Sequence, residues 1–331
     1  MRNSFHFMDH SFNLSNVLKM KTFLKAPRYI CNGVICMCDH ENGVVTFWNP
    51  TTAEHSILPY FSDDLEGGYT YAVGFGFVRW ANEFMVVRIM EEYSGCHVFP
   101  SAVQVCTQSS KTWRNIRLDM QPIMGSLLTG VNAGGAYHWP VLDKEEMEWC
   151  LLTFDMEIEV LQWTDLLAIP MDLVLYALEQ KESLALVTPD FESVGVRFEV
   201  WLNAGDHLDV SWIKQYSFKS SSISDLYPTL LWADGIFLAS NKPQELIYHD
   251  VHSSEETNVC LDIDKLHQLE IVMSLFRASL LSIKPKILPD LDSEVETFLR
   301  FHHVFFLLTE VQCSTSPGSL SNRHRLSFIF F

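Results

Sequence analysis

The sequence predicts an all-β fold, a propeller-like (kelch-type) array of about five to six four-stranded blades with a less ordered C-terminal tail. Three observations predict it. First, short apolar strands open after Gly33, Glu83, Gly135, Ser183 and Gly235, at intervals of about 50 residues. Second, the strands that follow close at Asn49, Cys106, Asp155, Leu202 and Asp250, with nearly the same interval. Third, alternation and turn residues divide each period into four strands. A period near 50 residues in a strand-rich chain points to a propeller, because one small sheet cannot bury both faces without neighbours.

Taken in order, Phe5 to Met8 and Val17 to Phe23 are candidate N-terminal strands. The first unit has a weak inner strand around Arg28-Tyr29-Ile30, then Val34 to Met37 and Phe47-Trp48. The second reads as Tyr71 to Phe77, Phe84 to Met90, Ala102 to Thr107 and Thr112 to Ile116, and the third as Leu127 to Val131, Ala136 to Val141, Leu151 to Met156 and Val160 to Trp163. The fourth reads as Leu173 to Leu178, Leu184 to Thr188, Arg197 to Trp201 and Trp212 to Phe218. The fifth reads as Thr229 to Trp232, Ile236 to Ala239, Leu246 to Val251 and Asn258 to Leu261. A last unit opens at Ile271 to Ile283 without clear successors, so the two half-units at the ends suggest one closing blade shared by both termini, which would remove exposed sheet edges. Residues 1–26 precede the domain, 27–283 form it, and 284–331 read as an irregular tail in which Asp290 to Leu308 could form a short helix. That helix would either present a partner-binding stripe or pack back on the sheet.

The 331 residues carry 23 basic and 41 acidic side chains, a net charge of −18, with 48% hydrophobic residues. Such a surface repels nucleic-acid backbones and anionic membranes and attracts basic partners; a merely solvated acidic surface is the alternative. Eight cysteines lie mostly within apolar strand patterns, where a thiol packs as a small hydrophobe, and this suits a reducing compartment, cytoplasmic or nuclear. No segment has the apolar length of a signal peptide or membrane span.

No catalytic, cofactor or metal motif stands out. Cys31, Cys36 and Cys38 with Asp39 and His40 lack a second ligand pair at zinc spacing. The histidines are isolated or adjacent, and adjacent strand residues point to opposite faces. Gly74-Phe75-Gly76 lacks the helix and third glycine of a phosphate loop, and no nucleophile elbow or His-Glu-x-x-His occurs. Trp48, Trp113, Trp139, Trp201 and Trp212 read as blade-to-blade packing. The loops joining second and third strands fall on one face of a closed array and carry about half of the acidic excess. Asp39, Glu41, Glu91, Glu92, Tyr93, Asp143, Glu145, Glu146, Asp190 and Glu192 are the candidate partner-binding residues there.

Cys31-Asn32-Gly33-Val34-Ile35-Cys36, Trp48-Asn49-Pro50-Thr51-Thr52, Leu58-Pro59, Gly74-Phe75-Gly76-Phe77 and Met85-Val86-Val87-Arg88-Ile89 occur in the order found in a known family. So do Ser110-Lys111-Thr112-Trp113-Arg114, Gly134-Gly135-Ala136-Tyr137-His138-Trp139, Leu152-Thr153-Phe154-Asp155-Met156, Phe198-Glu199-Val200-Trp201 and Ser211-Trp212-Ile213-Lys214. From about residue 27 to 283 the chain resembles the F-box-associated (type 1) domain of plant F-box proteins, and within it the S-locus F-box group of self-incompatibility. The resemblance implies a non-enzymatic substrate-recognition module of a Skp–cullin–F-box ubiquitin ligase, with a protein substrate of the basic S-ribonuclease class. Residues 1–26 lack the Leu- and Pro-rich F-box that docks the Skp-type adaptor, which implies substrate binding without adaptor binding. His138-Trp139-Pro140 also departs from the pattern, and its proline suits a sheet edge or strand end. An enzyme using the central mouth of the propeller and a truncated, non-functional paralogue are the alternative readings.

Overall fold

A computed structural model describes residues 3–8, 14–20, 28–39, 43–52, 54–60, 69–94, 97–116, 125–127, 129–143, 148–166, 175–191, 195–205, 211–220, 226–241, 244–259, 271–276, 283 and 305–310. The elements among them are all strands. The chain begins with β1 (Asn3–Met8) and β2 (Leu14–Met20). Blade I follows with β3 (Arg28–Cys31), β4 (Val34–Asp39), β5 (Val44–Asn49) and β6 (Glu54–Ile57). Blade II holds β7 (Tyr69–Val78), β8 (Glu83–Ser94), β9 (His97–Thr107) and β10 (Arg114–Ile116). Blade III holds β11 (Gly125–Leu127), β12 (Val131–Ala133), β13 (Ala136–Asp143), β14 (Glu148–Asp155) and β15 (Val160–Asp165). Blade IV is β16 (Tyr176–Gln180), β17 (Ser183–Phe191), β18 (Val196–Asn203) and β19 (Trp212–Ser220), and blade V is β20 (Leu226–Trp232), β21 (Gly235–Asn241), β22 (Gln244–Asp250) and β23 (Glu256–Asn258). Finally β24 (Ile271–Phe276) and β25 (Phe305–Glu310) join the two N-terminal strands in a sheet of order β2-β1-β25-β24.

The inner strands close a ring, with β3 touching β7, β7 touching β12, then β12 to β16, β16 to β20, β20 to β24 and β24 back to β3. The array is therefore a six-sheet propeller whose last sheet takes two strands from each terminus, as the half-units suggested. The β25 segment corrects one expectation. Residues 305–308 belong to a strand, not to a helix spanning Asp290 to Leu308, and the sheet array extends past the 27–283 boundary at both ends. A short apolar run such as Phe305-Phe306-Leu307-Leu308 fits either periodicity, and pairing with β1 and β24 decides it.

Each blade is buried on both faces, so its central strands are continuous apolar runs. In β8, Phe84 and Val86 pack with Cys36, Phe47 and Phe75 between blades I and II, while Met85, Val87 and Ile89 pack with Tyr137, Trp139 and Phe154 between II and III. In β17, Leu184 and Leu186 face blade III with Trp149, and Ala185 and Val187 face blade V with Ile236 and Leu238. Trp48 and Trp139 are fully buried; Trp113, Trp201 and Trp212 are partly buried against these clusters. Burying such rings contributes about 1.5–3 kcal/mol each.

Pro140 lies inside a sheet, contrary to the edge or strand end expected of it. The Met156 N–H bonds the Gly135 carbonyl, so 137, 139 and 141 are the hydrogen-bonded positions toward β14, and the amide position of residue 140 points toward the inner strand. There the inner strand is interrupted between β11 and β12, whose registers against β13 differ by one residue. The missing donor costs no ladder bond.

Candidate functional site

Antiparallel order within each blade puts the turns between strands one and two, and between three and four, on one face of the ring. The connections between strands two and three lie on the opposite face.

The acidic residues expected on this second face are held at strand ends more than in loops. Asp39 ends β4, and Glu91, Glu92 and Tyr93 continue β8, paired with Pro100, Phe99 and Val98. The β8–β9 hairpin is thus longer than alternation suggested, its ladder running on to the Ser94–His97 pair. Asp143 ends β13 opposite Glu148, and exposed Asp190 lies in β17 opposite Arg197. Glu41, Glu145, Glu146 and Glu192 fall outside the described residues. Blade III gathers charge here. Burial first, and then the Asp165, Asp143 and Glu148 carboxylates, push the Cys150 thiol up to about 12.

The turn face carries a cavity of about 380 Å³ to which four consecutive blades contribute. Its wall includes Cys31, Asn32 and Gly33 from blade I, Phe77 and Arg79 from II, Asn132 to Gly135 from III, and Glu179 and Glu182 from IV. The tight hairpins require left-handed backbone: Asn32 and Gly33 have φ of 47° and 71°, and Gly134 and Gly135 have 62° and 90°. Asn-Gly and Gly-Gly suit such two-residue turns. The equivalent pair in blade IV is Lys181 and Glu182, at φ of 51° and 68°, where two side chains are held in a conformation that costs about 1 kcal/mol or more each.

Asn132 ties the cavity together. Its Oδ1 accepts from Cys31 Sγ at 3.8 Å, and its Nδ2 donates to the Phe75 carbonyl at 3.2 Å, linking blades I, II and III. A Cβ at Gly76 would meet Asn132 Nδ2 at 2.7 Å, so the close approach needs glycine. Cys31 is held as a thiol, pushed up to about 12 by burial and then by the Glu179 carboxylate. Above the cavity, Arg79 and Glu182 approach to 3.7 Å with both side chains about two-thirds exposed, an ion pair worth little by itself.

Beside the rim stands Trp80, 74% exposed. It is nevertheless fixed: its Nε1 donates to the Glu157 carbonyl at 3.2 Å, and the Arg79 amide donates to Glu157 Oε1 at 2.8 Å. Glu157 is fixed in turn by buried Asp155, whose Oδ1 accepts from the 157 and 158 amides at 2.7 and 3.1 Å. Ile158, the next residue, is 57% exposed. Sequence reasoning missed this face because its parts read as turn chemistry; the one available signal was the Trp80 side chain at a hairpin tip.

Among the described residues no group of three or more His, Cys, Asp or Glu could hold a metal ion. Cys36 and Cys38 are a buried thiol pair 3.8 Å apart, and Cys31, Cys106 and Cys150 are also free. No helix among the described residues is long and apolar enough to cross a membrane, which says nothing of strand-built spans.

Residues 2–280 match the sequence profile of the F-box associated beta propeller domain. No curated protein matches the chain. Among solved structures, the nidogen/laminin complex is similar at 10% identity and a TM-score of 0.43, over 77% of this chain and 92% of that one. The Dos1 propeller is similar at 8% identity and 0.40, over 77% of this chain and 64% of that one. Prolyl oligopeptidase B from Galerina marginata is similar at 10% identity and 0.40, over 80% of this chain and 37% of that one.

Proposed function

Because the chain belongs to the F-box associated beta-propeller domain family, we propose that it is a protein-binding module that recognises a substrate protein and performs no catalysis itself. The family match over residues 2–280 carries this reading. The chemistry of the cavity agrees with it: among the described residues of its wall the sulfur nucleophile is Cys31, which is a thiol at neutral pH and hydrogen-bonds an amide rather than a base.

The finer reading is a substrate receptor of the Skp–cullin–F-box class, akin to the S-locus group, for a basic protein such as an S-ribonuclease. A net charge of −18 favours a basic partner over an acidic one and would speed its association. Asp143, Glu148, Asp165 and Asp190 supply carboxylates at the loop face. Free thiols in strands fit a reducing compartment, the cytoplasm or nucleus.

The test is surface plasmon resonance of the full chain against a basic ribonuclease and an acidic protein of equal size, across a salt series. The basic protein should bind, with affinity falling as salt rises, and Asp143→Lys with Asp190→Lys should slow its association about threefold or more. Equal binding of both proteins would remove the reading. Capture of a Skp-type adaptor by the same chain would decide whether it also assembles with a ligase.

A further inference from the structure

We propose that the turn face holds a second, peptide-specific site, in which the cavity takes a Lys or Arg side chain of an extended partner segment and Trp80 with Ile158 takes an apolar residue two positions along, on the same side of that segment. This rests on the reading of the chain as a protein-binding module. It names a different face from the acidic loop ends and a different kind of contact, an anchored side chain in place of a diffuse field.

Four observations converge on one place. A cavity of about 380 Å³ is large enough for a long side chain and opens where four blades meet. Its wall holds two carboxylates, Glu179 and Glu182, against one guanidinium, Arg79, so a single added cation balances it. Glu182 bonds Glu179 through its own amide at 2.9 Å, and the Glu179 carboxylate also acts on Cys31 in the wall. Finally, Trp80 is exposed yet pinned through Glu157 and Asp155, so docking on it requires little further ordering. Tryptophan is among the residue types enriched in binding hot spots, where a large ring buries apolar area at low entropic cost.

The strained turn belongs to the same place. Lys181 and Glu182 both sit at positive φ, where glycine or asparagine would fit without cost, and Glu182 is the residue that meets Arg79 at the cavity mouth. Outliers of this kind persist where surrounding structure holds them and gather at ligand clamps.

The probe is a fluorescein-labelled octapeptide repeating lysine-serine-leucine-serine, which puts lysine and leucine on one side of the extended chain, with glutamate in place of lysine as its counterpart, read by anisotropy on the full chain. The lysine peptide should bind and the glutamate peptide should not. Trp80→Ala and the double variant Glu179→Gln/Glu182→Gln should each weaken the lysine peptide about tenfold or more. The reversal Glu179→Lys/Glu182→Lys should transfer binding to the glutamate peptide, a gain that misfolding cannot imitate. Lysine-peptide binding unaffected by Trp80→Ala and by the double variant would overturn the site. If a basic ribonuclease still binds the Trp80→Ala chain while the peptide result fails, the turn-face site is wrong and the protein-binding reading stands; if neither probe binds the unaltered chain, both are wrong.

Discussion

At the scale of single residues, the most consequential positions are polar groups that close the third strand of each blade. Asn49 Oδ1 accepts from the Thr51 amide, Asp155 from Glu157 and Ile158, Asn203 from Gly205 and Ser211, and Asp250 from His252 and Ser253; Thr107 does the same through its hydroxyl for Ser110. Each side chain replaces backbone bonds that a tight turn cannot make. Asp155→Ala should therefore destabilise the fold by about 1–2 kcal/mol in urea unfolding, since the 157 and 158 amides lose their acceptor. It should also weaken the lysine peptide, because Glu157 loses the turn that lets it hold Trp80, whereas Asp155→Asn should retain most of both. These positions explain the sequence repeat. Asn49, Asp155 and Asp250 were legible directly, but in blades II and IV the bonding residues are Thr107 and Asn203, one past the Cys106 and Leu202 that the apolar pattern marks. A hydroxyl or amide just outside an apolar run carries no periodicity of its own. Cys31 gives a pH-dependent outcome. Its thiol titrates near 9 when unfolded and near 12 when folded, so the folded state holds its proton more tightly. That contribution is complete below pH 9 and is lost as pH rises toward 12. Thermal melts across this range should show falling stability, and the fall should be shallower in Cys31→Ala.

At the scale of elements, the β16–β17 turn sets stability against recognition. Replacing Lys181 and Glu182 by Asn and Gly supplies residues that accept positive φ at both positions, and should stabilise the chain by about 1–2 kcal/mol in urea unfolding. The same change should weaken the lysine peptide, because the Glu182 carboxylate leaves the cavity mouth. Higher stability with undiminished peptide binding would separate the strain from the site. The four-strand rhythm of blades I to V was readable because each strand is a short apolar run between turn residues. Strand lengths were less so: β8 and β9 run through Glu91-Glu92-Tyr93 and Val98-Phe99, since a long hairpin can carry charged residues on an edge that extends past its neighbours. Of the residues read onto the loop face, Asp39, Glu91, Glu92, Tyr93, Asp143 and Asp190 lie on strands, because the hairpins run further than the apolar alternation that marks them. The turn-face cavity could not be read at all, because it exists only where hairpin tips from four blades are brought together, about 150 residues apart in sequence at the extremes.

At the scale of the whole molecule, ring closure is what makes a set of marginal sheets into one cooperative body. A four-stranded sheet alone leaves both faces wet, and each blade here gains its stability from clusters shared with its neighbours, blades I and II through Phe47, Phe75 and Phe84, blades IV and V through Phe198, Phe218 and Ile236. The sixth sheet must complete the same arrangement, since β24 touches both β20 and β3, and it does so with strands drawn from the two ends of the chain. Among the described residues its outer half, β1 and β2, pairs to the rest through β25. Deleting residues 1–24 should thus expose the β25 edge, lower the midpoint of thermal unfolding by more than about 5 °C, and broaden the transition as the sheet between blades I and V loses its outer half. The effect should reach the turn-face site, because Cys31, Asn32 and Gly33 in blade I form part of the cavity wall. Adding a peptide of residues 1–24 back to the shortened chain should raise the midpoint with the logarithm of its concentration above Kd, as a ligand that binds only the folded form does. A transition unchanged in midpoint and width would mean that β24 and β25 already close the ring, and that β1 and β2 add nothing to it.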